Sequence, residues 1–300
     1  MTAVVCLGTI MGNKTTSKWI DLAVKPNFSW PNKQIEIEFE KRRIVLQPSS
    51  SERSCAVSVF DKDGLSFEEG GKILFRFLSR LSWSQSAGIE ELFISGSNMP
   101  KRPGLLGKGS YGQSWSAQIE PWDYLYLPIP KSEKAERALA VYREAMSINS
   151  VPYAFLGFFK VLNILYSTGK LQIEWINSNL QEIKYEPEKK RLAELQKSEI
   201  DIGSYLYHQG RCAVAHAFSD DIVNPDSYLD KRRLESDLYL MKEISALCIE
   251  KEFHVLSDSS YCESIRNKTE NLPELLKKIE TDDGKIIYKP FELKMIMHSF

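Results

Sequence analysis

The spacing of the apolar residues changes along this chain and separates two kinds of structure. In the segment KQIEIEFEK, Ile35, Ile37 and Phe39 alternate with charged residues, which is the period of two of a half-buried strand. Strand-like runs continue to Phe60. After Ser132, apolar residues recur three and four positions apart, which is typical of amphipathic helices. The sequence therefore predicts an α+β protein in which a mixed α/β N-terminal part is followed by an all-helical bundle.

These patterns predict three regions. Residues 1–130 form a mixed α+β domain, residues 131–260 form the helical bundle, and residues 261–300 form an extension with one helix and one hairpin. In the bundle, one long helix is expected to begin at Pro187 and end at Gln209. In the extension, the helix is expected over 272–279 and the hairpin turn at Asp283 and Gly284.

The composition is that of a folded globular protein without a strong electric field. The chain has 300 residues, of which 43% are hydrophobic and 26% charged, so two domains can each bury a core. Its 39 basic and 40 acidic side chains nearly cancel, so any contact with nucleic acid has to be local. The 5 cysteines show no CxxC spacing, which favours reduced thiols in a cytoplasmic protein.

Neither a secretory signal nor a membrane span is expected. The N-terminal apolar run has no basic region ahead of it. The longest uncharged stretch, 145–159, has about 15 residues, whereas a spanning helix needs roughly 20. We therefore expect a soluble protein located in the cytoplasm and not bound to a membrane.

A loop rich in glycine and basic residues, 96–112, is a candidate contact surface for phosphate groups. It contains Lys101, Arg102 and Lys108. It does not match a P-loop, because the Gly-Lys pair is not followed by Ser or Thr. Two interpretations stay open, a connecting loop and a basic surface that binds RNA.

A metal site is not expected from the histidines. His208, Cys212 and His216 follow each other at steps of four residues, so an unbroken helix would align three zinc ligands. Gly210 weakens that geometry, and no fourth ligand is nearby. The sequence therefore predicts neither a metal nor another cofactor.

The segment RCAVAH carries the chemistry of greatest interest, because Arg211 and His216 suit RNA cleavage. The 2′-hydroxyl of RNA is its own nucleophile, so cleavage requires a base for its proton and a donor that stabilises the charged phosphate. An imidazole exchanges protons at cellular pH, and a guanidinium binds two phosphate oxygens. On a straight helix, residues five apart point about 140° away from each other, so the two groups of one chain converge only with a helix break at Gly210.

This R-x4-H segment resembles the HEPN superfamily of helical domains over about residues 133–255. Most of the chain also resembles the bacterial family of methylamine utilization protein J, particularly in RCAVAHAFSDDIVNPDSYLDKRRLESDLYLMKEISALCIEKEF. The HEPN resemblance implies a metal-independent endoribonuclease, for example a toxin or an antiviral defence effector restrained by a regulatory protein. It also implies a homodimer through the bundle, in which two motifs form one cleft.

The resemblance implies roles for individual residues and leaves two functions open. His216 would be the general base or acid, and Arg211 would stabilise the transition state. Cys212 and the basic loop are further candidates for contact with the RNA substrate, which the resemblance does not itself imply. Active family members commonly carry a polar residue where this chain has Cys212. The alternative is a non-catalytic interaction or nucleotide-binding subunit of a larger complex. In the structural form of that alternative, Arg211 pairs with Asp220 or Glu235.

Overall fold

The computed structural model describes residues 18–51, 53–61, 64–102, 118–119, 122, 124–198, 201–216, 223–224, 227–266 and 275–290. They form two compact units. The sheet unit comprises the described parts of Met1–Phe77, Glu91–Leu125 and Lys277–Pro290. The helical unit comprises those of Leu78–Glu90 and Tyr126–Leu276. The fold class is α+β, as the change of periodicity predicts.

The sheet unit is organised around one mixed sheet. Its strands are β1 (Trp19–Pro26), β3 (Ile35–Phe39), β4 (Arg42–Gln47), β5 (Cys55–Phe60), β6 (Ile89–Ser97), β8 (Tyr124–Tyr126), β9 (Leu275–Glu280) and β10 (Ile286–Pro290). Their order across the sheet is β6-β1-β5-β4-β3-β10-β9-β8. The short strands β2 (Trp30–Pro31) and β7 (Gln118–Ile119) pair separately. Helix α1 (Phe67–Ser84) follows β5.

The alternating segment forms a strand whose apolar side faces the core. Ile35 and Ile37 are buried, and β3 pairs antiparallel with β4, with Ile37 opposite Ile44. Phe39 contacts Phe77 of α1 edge to face, with the ring centres 5.3 Å apart. The period of two therefore correctly predicts both the strand and which of its faces is buried.

The expected helix over 272–279 is wrong, because this segment contains strand β9. It forms a hairpin with β10, and the turn at Gly284, with φ of 77°, lies where the sequence predicts it. Strand β10 then pairs in parallel with β3, with Tyr288 opposite Ile37. Leucine, lysine and glutamate favour a helix locally, but pairing within the sheet overrides that preference.

The helical unit contains eight helices among the described residues that follow Ser132. They are α2 (Glu133–Ser147), α3 (Val151–Asn163), α4 (Gly169–Asn179), α5 (Glu186–Lys197), α6 (Ile202–Tyr205), α7 (Ala213–Ala215), α8 (Tyr228–Phe253) and α9 (Asp258–Arg266). A π-helical segment, Leu206–Cys212, joins α6 to α7, and a 3₁₀ turn, Leu180–Glu182, follows α4. The Ser132 hydroxyl accepts a hydrogen bond from the backbone N–H of Ala135, so the predicted N-cap of α2 is confirmed.

Helix α3 is central to this unit and packs against α2 and α8. Its aromatic residues Phe155, Phe158 and Phe159 are almost completely buried. Gly157 lets α2 approach closely, since a Cβ atom there would lie 2.8 Å from the Cβ of Ala145. The very apolar segment that begins at Pro152 is therefore the core helix of the bundle.

The single helix expected between Pro187 and Gln209 is wrong. Helix α5 ends at Lys197, and a new helix begins at Ile202. Asp201 caps the new helix, because its carboxylate accepts a hydrogen bond of 2.7 Å from the N–H of Ser204. The apolar period continues across the interruption, which is why the two helices resemble one in the sequence.

The helices among the described residues do not include one that is both long and apolar enough to cross a membrane.

Truncating the buried aromatic core should destabilise the protein far more than truncating an exposed ring on the same helix. We expect Phe159→Ala to lower the free energy of unfolding by about 3–5 kcal/mol, because it removes a fully buried side chain and leaves a cavity. Tyr153→Ala, at a ring that is 62% exposed, should change it by less than about 0.5 kcal/mol. Urea unfolding followed by circular dichroism measures both, and equal losses would contradict this core assignment.

Candidate active site

The candidate site lies at the C-terminal end of residues 202–215, which we call the motif helix. It consists of α6, the π-helical segment and α7. π-Helical stretches are rare and often occur at functional sites. The helix ends at Ala215, and His216 has an extended backbone with φ of −125° and ψ of 124°. The N–H of His216 still donates to the carbonyl oxygen of Cys212, at 3.0 Å.

Glycines allow the motif helix to pack unusually closely against its neighbours. A Cβ atom on Gly210 would lie 2.4 Å from the Phe155 ring of α3, and one on Gly203 would lie 2.6 Å from the carbonyl oxygen of Ile173 in α4. Both distances are shorter than van der Waals contact, so a larger residue requires movement of a neighbour. Gly210 therefore serves the packing of the helix and does not break it.

Arg211 and His216 converge within one chain. The Nη1 atom of Arg211 lies 3.3 Å from Nε2 of His216. Because His216 follows the last helical residue, the separation of about 140° expected on a straight helix does not apply to this pair. The expectation that convergence within one chain requires a helix break at Gly210 is therefore wrong.

The direction of this hydrogen bond restricts the tautomer of a neutral imidazole. A guanidinium has only N–H donors, so Arg211 must donate and Nε2 of His216 must accept. An accepting Nε2 carries no proton, which places the ring proton of a neutral imidazole on Nδ1. In this tautomer Nε2 is the hydrogen-bond acceptor of the ring.

The guanidinium of Arg211 is held by neighbours that leave its charge available. It lies 5.6 Å from the ring centre of Tyr207, a cation–π contact, and its Nη1 lies 3.7 Å from the Sγ of Cys212. Within the described residues, no carboxylate forms an ion pair with Arg211, and its buried Nε has no hydrogen-bond partner. The arrangement suits an anion such as a phosphate group.

The sequence leaves open an ion pair of Arg211 with Asp220 or with Glu235, and the structure describes only the second of these two residues. Glu235 lies on α8 and does not form an ion pair with Arg211. Asp220 lies outside the described residues.

A buried network next to the motif was not predicted from the sequence. Asp237 of α8 is 1% exposed and accepts hydrogen bonds from the hydroxyl of Tyr205, at 2.7 Å, and from Nε of Arg191, at 2.9 Å. Arg233 of α8 donates to the carbonyl oxygen of Gln209, at 2.9 Å. Burial and the adjacent carboxylate raise the pKa of Tyr205, so its hydroxyl stays protonated and donates. The network fixes the motif helix against α5 and α8.

The sequence contains only a weak signal for these additional residues. Tyr207 precedes Arg211 by four positions, a spacing at which helical side chains meet, so the ring contact could have been proposed. Asp237 looks like one of many helical carboxylates, and only the fold shows that it is buried with Arg191 and Tyr205.

The basic loop residues have structural partners in the sheet unit. The N–H of Lys101 donates to Asp21, at 3.1 Å, and Nη1 of Arg102 donates to the carbonyl oxygen of Pro48, at 2.7 Å. Lys108 lies outside the described residues. The assignment of these three residues to RNA contacts stays a prediction.

The zinc stripe considered from the sequence does not form a ligand cluster. Where the structure describes the chain, no group of three or more His, Cys, Asp or Glu side chains is placed to hold a metal ion.

The fold and the site together define an α+β protein whose helical unit carries an Arg–His pair at the end of a π-containing helix. Residues 138–250 match the family described as methylamine utilization protein MauJ. The match runs from α2 into α8 and includes Arg211, Cys212 and His216, and it confirms the resemblance to that family over these residues. No curated protein and no solved structure matches the chain.

Adding a methyl group at Gly210 should disturb the site through packing. We expect Gly210→Ala to lower the free energy of unfolding by about 1–3 kcal/mol, because the new Cβ collides with Phe155. Phe155→Leu should make room, so the double variant should lose less stability than the sum of the single losses. Urea unfolding of all three variants measures this coupling.

Gly71→Ala is the matched control for this prediction. It adds a Cβ atom within α1 at an ordinary contact distance of 3.6 Å and should not destabilise the protein. Strict additivity of Gly210→Ala and Phe155→Leu would contradict the proposed contact.

Proposed function

We propose that this protein is a metal-independent endoribonuclease of the HEPN type, with Arg211 and His216 as its catalytic residues. The contact of 3.3 Å between Nη1 of Arg211 and Nε2 of His216 carries the proposal. This contact supports the proposal because a guanidinium can bind phosphate oxygens and an imidazole can exchange protons. The match to the MauJ family is compatible with this activity but does not itself specify one.

The geometry suggests an order of events. A phosphate oxygen of RNA would replace Nε2 of His216 as the acceptor of the hydrogen bond from Nη1 of Arg211, since a charged oxygen is the stronger acceptor. Nε2 would then take the proton of the adjacent 2′-hydroxyl. Attack of that oxygen on phosphorus forms a 2′,3′-cyclic phosphate and breaks the bond to the 5′-oxygen, which takes up a proton from water. Arg211 stabilises the additional negative charge on phosphorus.

A cleft beside the motif helix offers room for the adjacent nucleotide. It has a volume of about 470 Å³ and is lined by residues of the α2–α3 connection, by Val223 and Asn224, and by Glu235 and Leu238 of α8. The N–H of Val223 donates to the carbonyl oxygen of Ala213, at 3.2 Å, so the cleft borders the end of the motif helix. Its mixture of apolar and hydrogen-bonding groups suits an unpaired base.

The proposal is tested with end-labelled RNAs, structured and single-stranded, incubated with purified protein in excess EDTA. We expect fragments that end in 2′,3′-cyclic phosphate. Arg211→Ala and His216→Ala should each reduce the cleavage rate at least about 100-fold, because each removes one part of the acid–base and electrostatic catalysis. An RNA with a single 2′-deoxy nucleotide at the cleaved position should resist cleavage there.

Matched variants separate this mechanism from a contaminating nuclease. Arg137→Ala removes an exposed arginine of α2, and His254→Gly removes the imidazole that follows α8. His254 lies about 30 Å along α8 from Arg233, which contacts the motif helix. Both controls should cleave like the wild type. Equal cleavage by His216→Ala, or no cleavage by the wild type, would reject the catalytic role and favour the interaction module.

A further inference from the structure

A second site of the helical unit is a cavity that the RNA chemistry does not use. Its volume is about 190 Å³, and α2, α5, α8 and the residues that precede α5 contribute to its lining. Trp83 and Tyr142 form an aromatic wall, with ring centres 5.1 Å apart and planes at 78°. The indole N–H of Trp83 already donates to the carbonyl oxygen of Leu256, so the indole contributes an apolar surface.

Five charged side chains line this cavity, and two of them neutralise each other. Nζ of Lys184 lies 3.0 Å from Oε2 of Glu250. Glu250 also accepts a hydrogen bond from the N–H of Ser257, at 2.9 Å. Glu250 is therefore satisfied within the protein. The remaining charges on the cavity are Lys242, Glu188 and Glu243.

Lys242, Glu188 and Glu243 line the cavity, and none of them forms an ion pair with another among the described residues. Oε2 of Glu188 is buried and has no hydrogen-bond partner among the described residues. Lys242 attracts Glu188 and Glu243 electrostatically but forms no ion pair with either within the part of the chain that the structure describes. Glu243 accepts one long hydrogen bond, of 3.4 Å, from the N–H of Lys184. Buried charges in this situation are costly.

Burial shifts the ionisation of two of these groups toward neutrality. It raises the pKa of Glu243 and lowers the pKa of Lys242. Lys242 and Glu188 therefore offer the cavity one ammonium group and one carboxylate that do not form an ion pair with each other among the described residues.

We propose that this cavity binds a small zwitterion, a molecule with an ammonium group and a carboxylate joined by a few carbon atoms, such as a free aliphatic amino acid. The carboxylate would contact Lys242, the ammonium group would contact Glu188, and the carbon chain would lie against Trp83 and Tyr142. The volume corresponds to roughly six water molecules, which suits a ligand of about six to ten non-hydrogen atoms.

The test uses binding to the full chain. The probes are glycine, alanine, valine, leucine, 4-aminobutyrate, 5-aminopentanoate and tryptophan, first in thermal-shift assays and then by isothermal titration calorimetry. At least one of the smaller probes should bind, and tryptophan should bind at least about 10-fold more weakly because it exceeds the cavity. Isobutylamine is valine without its carboxylate, and 3-methylbutanoate is valine without its amino group. If valine binds, each of the two should bind at least about 10-fold more weakly than valine.

Variants locate the binding in the cavity. Lys242→Met and Glu188→Gln should each weaken binding at least about 10-fold, since each removes one charged contact. Lys251→Met and Glu186→Gln are matched controls, because Lys251 pairs with Glu182 and Glu186 with Lys189, away from the cavity. These controls should bind within about twofold of the wild type. Circular dichroism establishes that every variant is folded.

Three outcomes would overturn the proposal. The first is that none of the smaller probes binds the wild type. The second is that binding is unchanged in folded Lys242→Met and Glu188→Gln. The third is that isobutylamine binds as tightly as the best amino acid, which would mean that the cavity recognises a cation alone. None of these results bears on RNA cleavage, because Arg211 and His216 do not line the cavity.

Discussion

The approach of the Phe155 ring to the backbone at Gly210 is the contact on which the candidate site depends. It brings the motif helix against α3, the central helix of the bundle. From there a series of ring contacts leads to the site. Phe155 lies near Phe159, Phe159 contacts Tyr207 at 6.0 Å, and the Tyr207 ring lies under the Arg211 guanidinium. The orientation of Arg211 is therefore tied to the packing of the core, and exposed neighbours have little influence on it.

The buried carboxylate of Asp237 is the second constraint on the position of the motif helix. It acts through hydrogen bonds to a charge, whereas the contact of Phe155 with Gly210 acts through apolar packing. Apolar packing tolerates small displacements, but a charge that is 1% exposed has to keep its hydrogen bonds. Asp237 retains two donors, Tyr205 at the end of α6 and Arg191 of α5. A movement of the motif helix away from α8 would separate Tyr205 from this carboxylate and leave the charge partly unpaired. The network therefore opposes the displacement that packing alone would permit.

Helix α8 connects the two proposed sites because it contributes different faces to each. Asp237 holds the motif helix, whereas Lys242 and Glu243 line the zwitterion cavity, one to two turns further along. Residues 237 and 242 are five positions apart, so their side chains point about 140° away from each other. This explains how one helix can bury an ion-paired carboxylate on one side and present unpaired charges to a cavity on another.

The sequence predicts the parts of this protein that depend on local periodicity, and it misses those that depend on distant contacts. The period of two at Ile35 and Ile37 is sufficient for strand β3, and Ser132 is sufficient for the start of α2. The pairing of β10 with β3 joins residues about 250 positions apart, so no local pattern reports it. The π-helical widening is equally hidden, because Gly210 alone is compatible with a break, a cap or a close contact. The position of the Phe155 ring next to Gly210 shows that the reason for the glycine is a close contact. The same holds for Arg211 and His216, whose spacing suggests RNA chemistry but whose convergence requires that the helix end at Ala215.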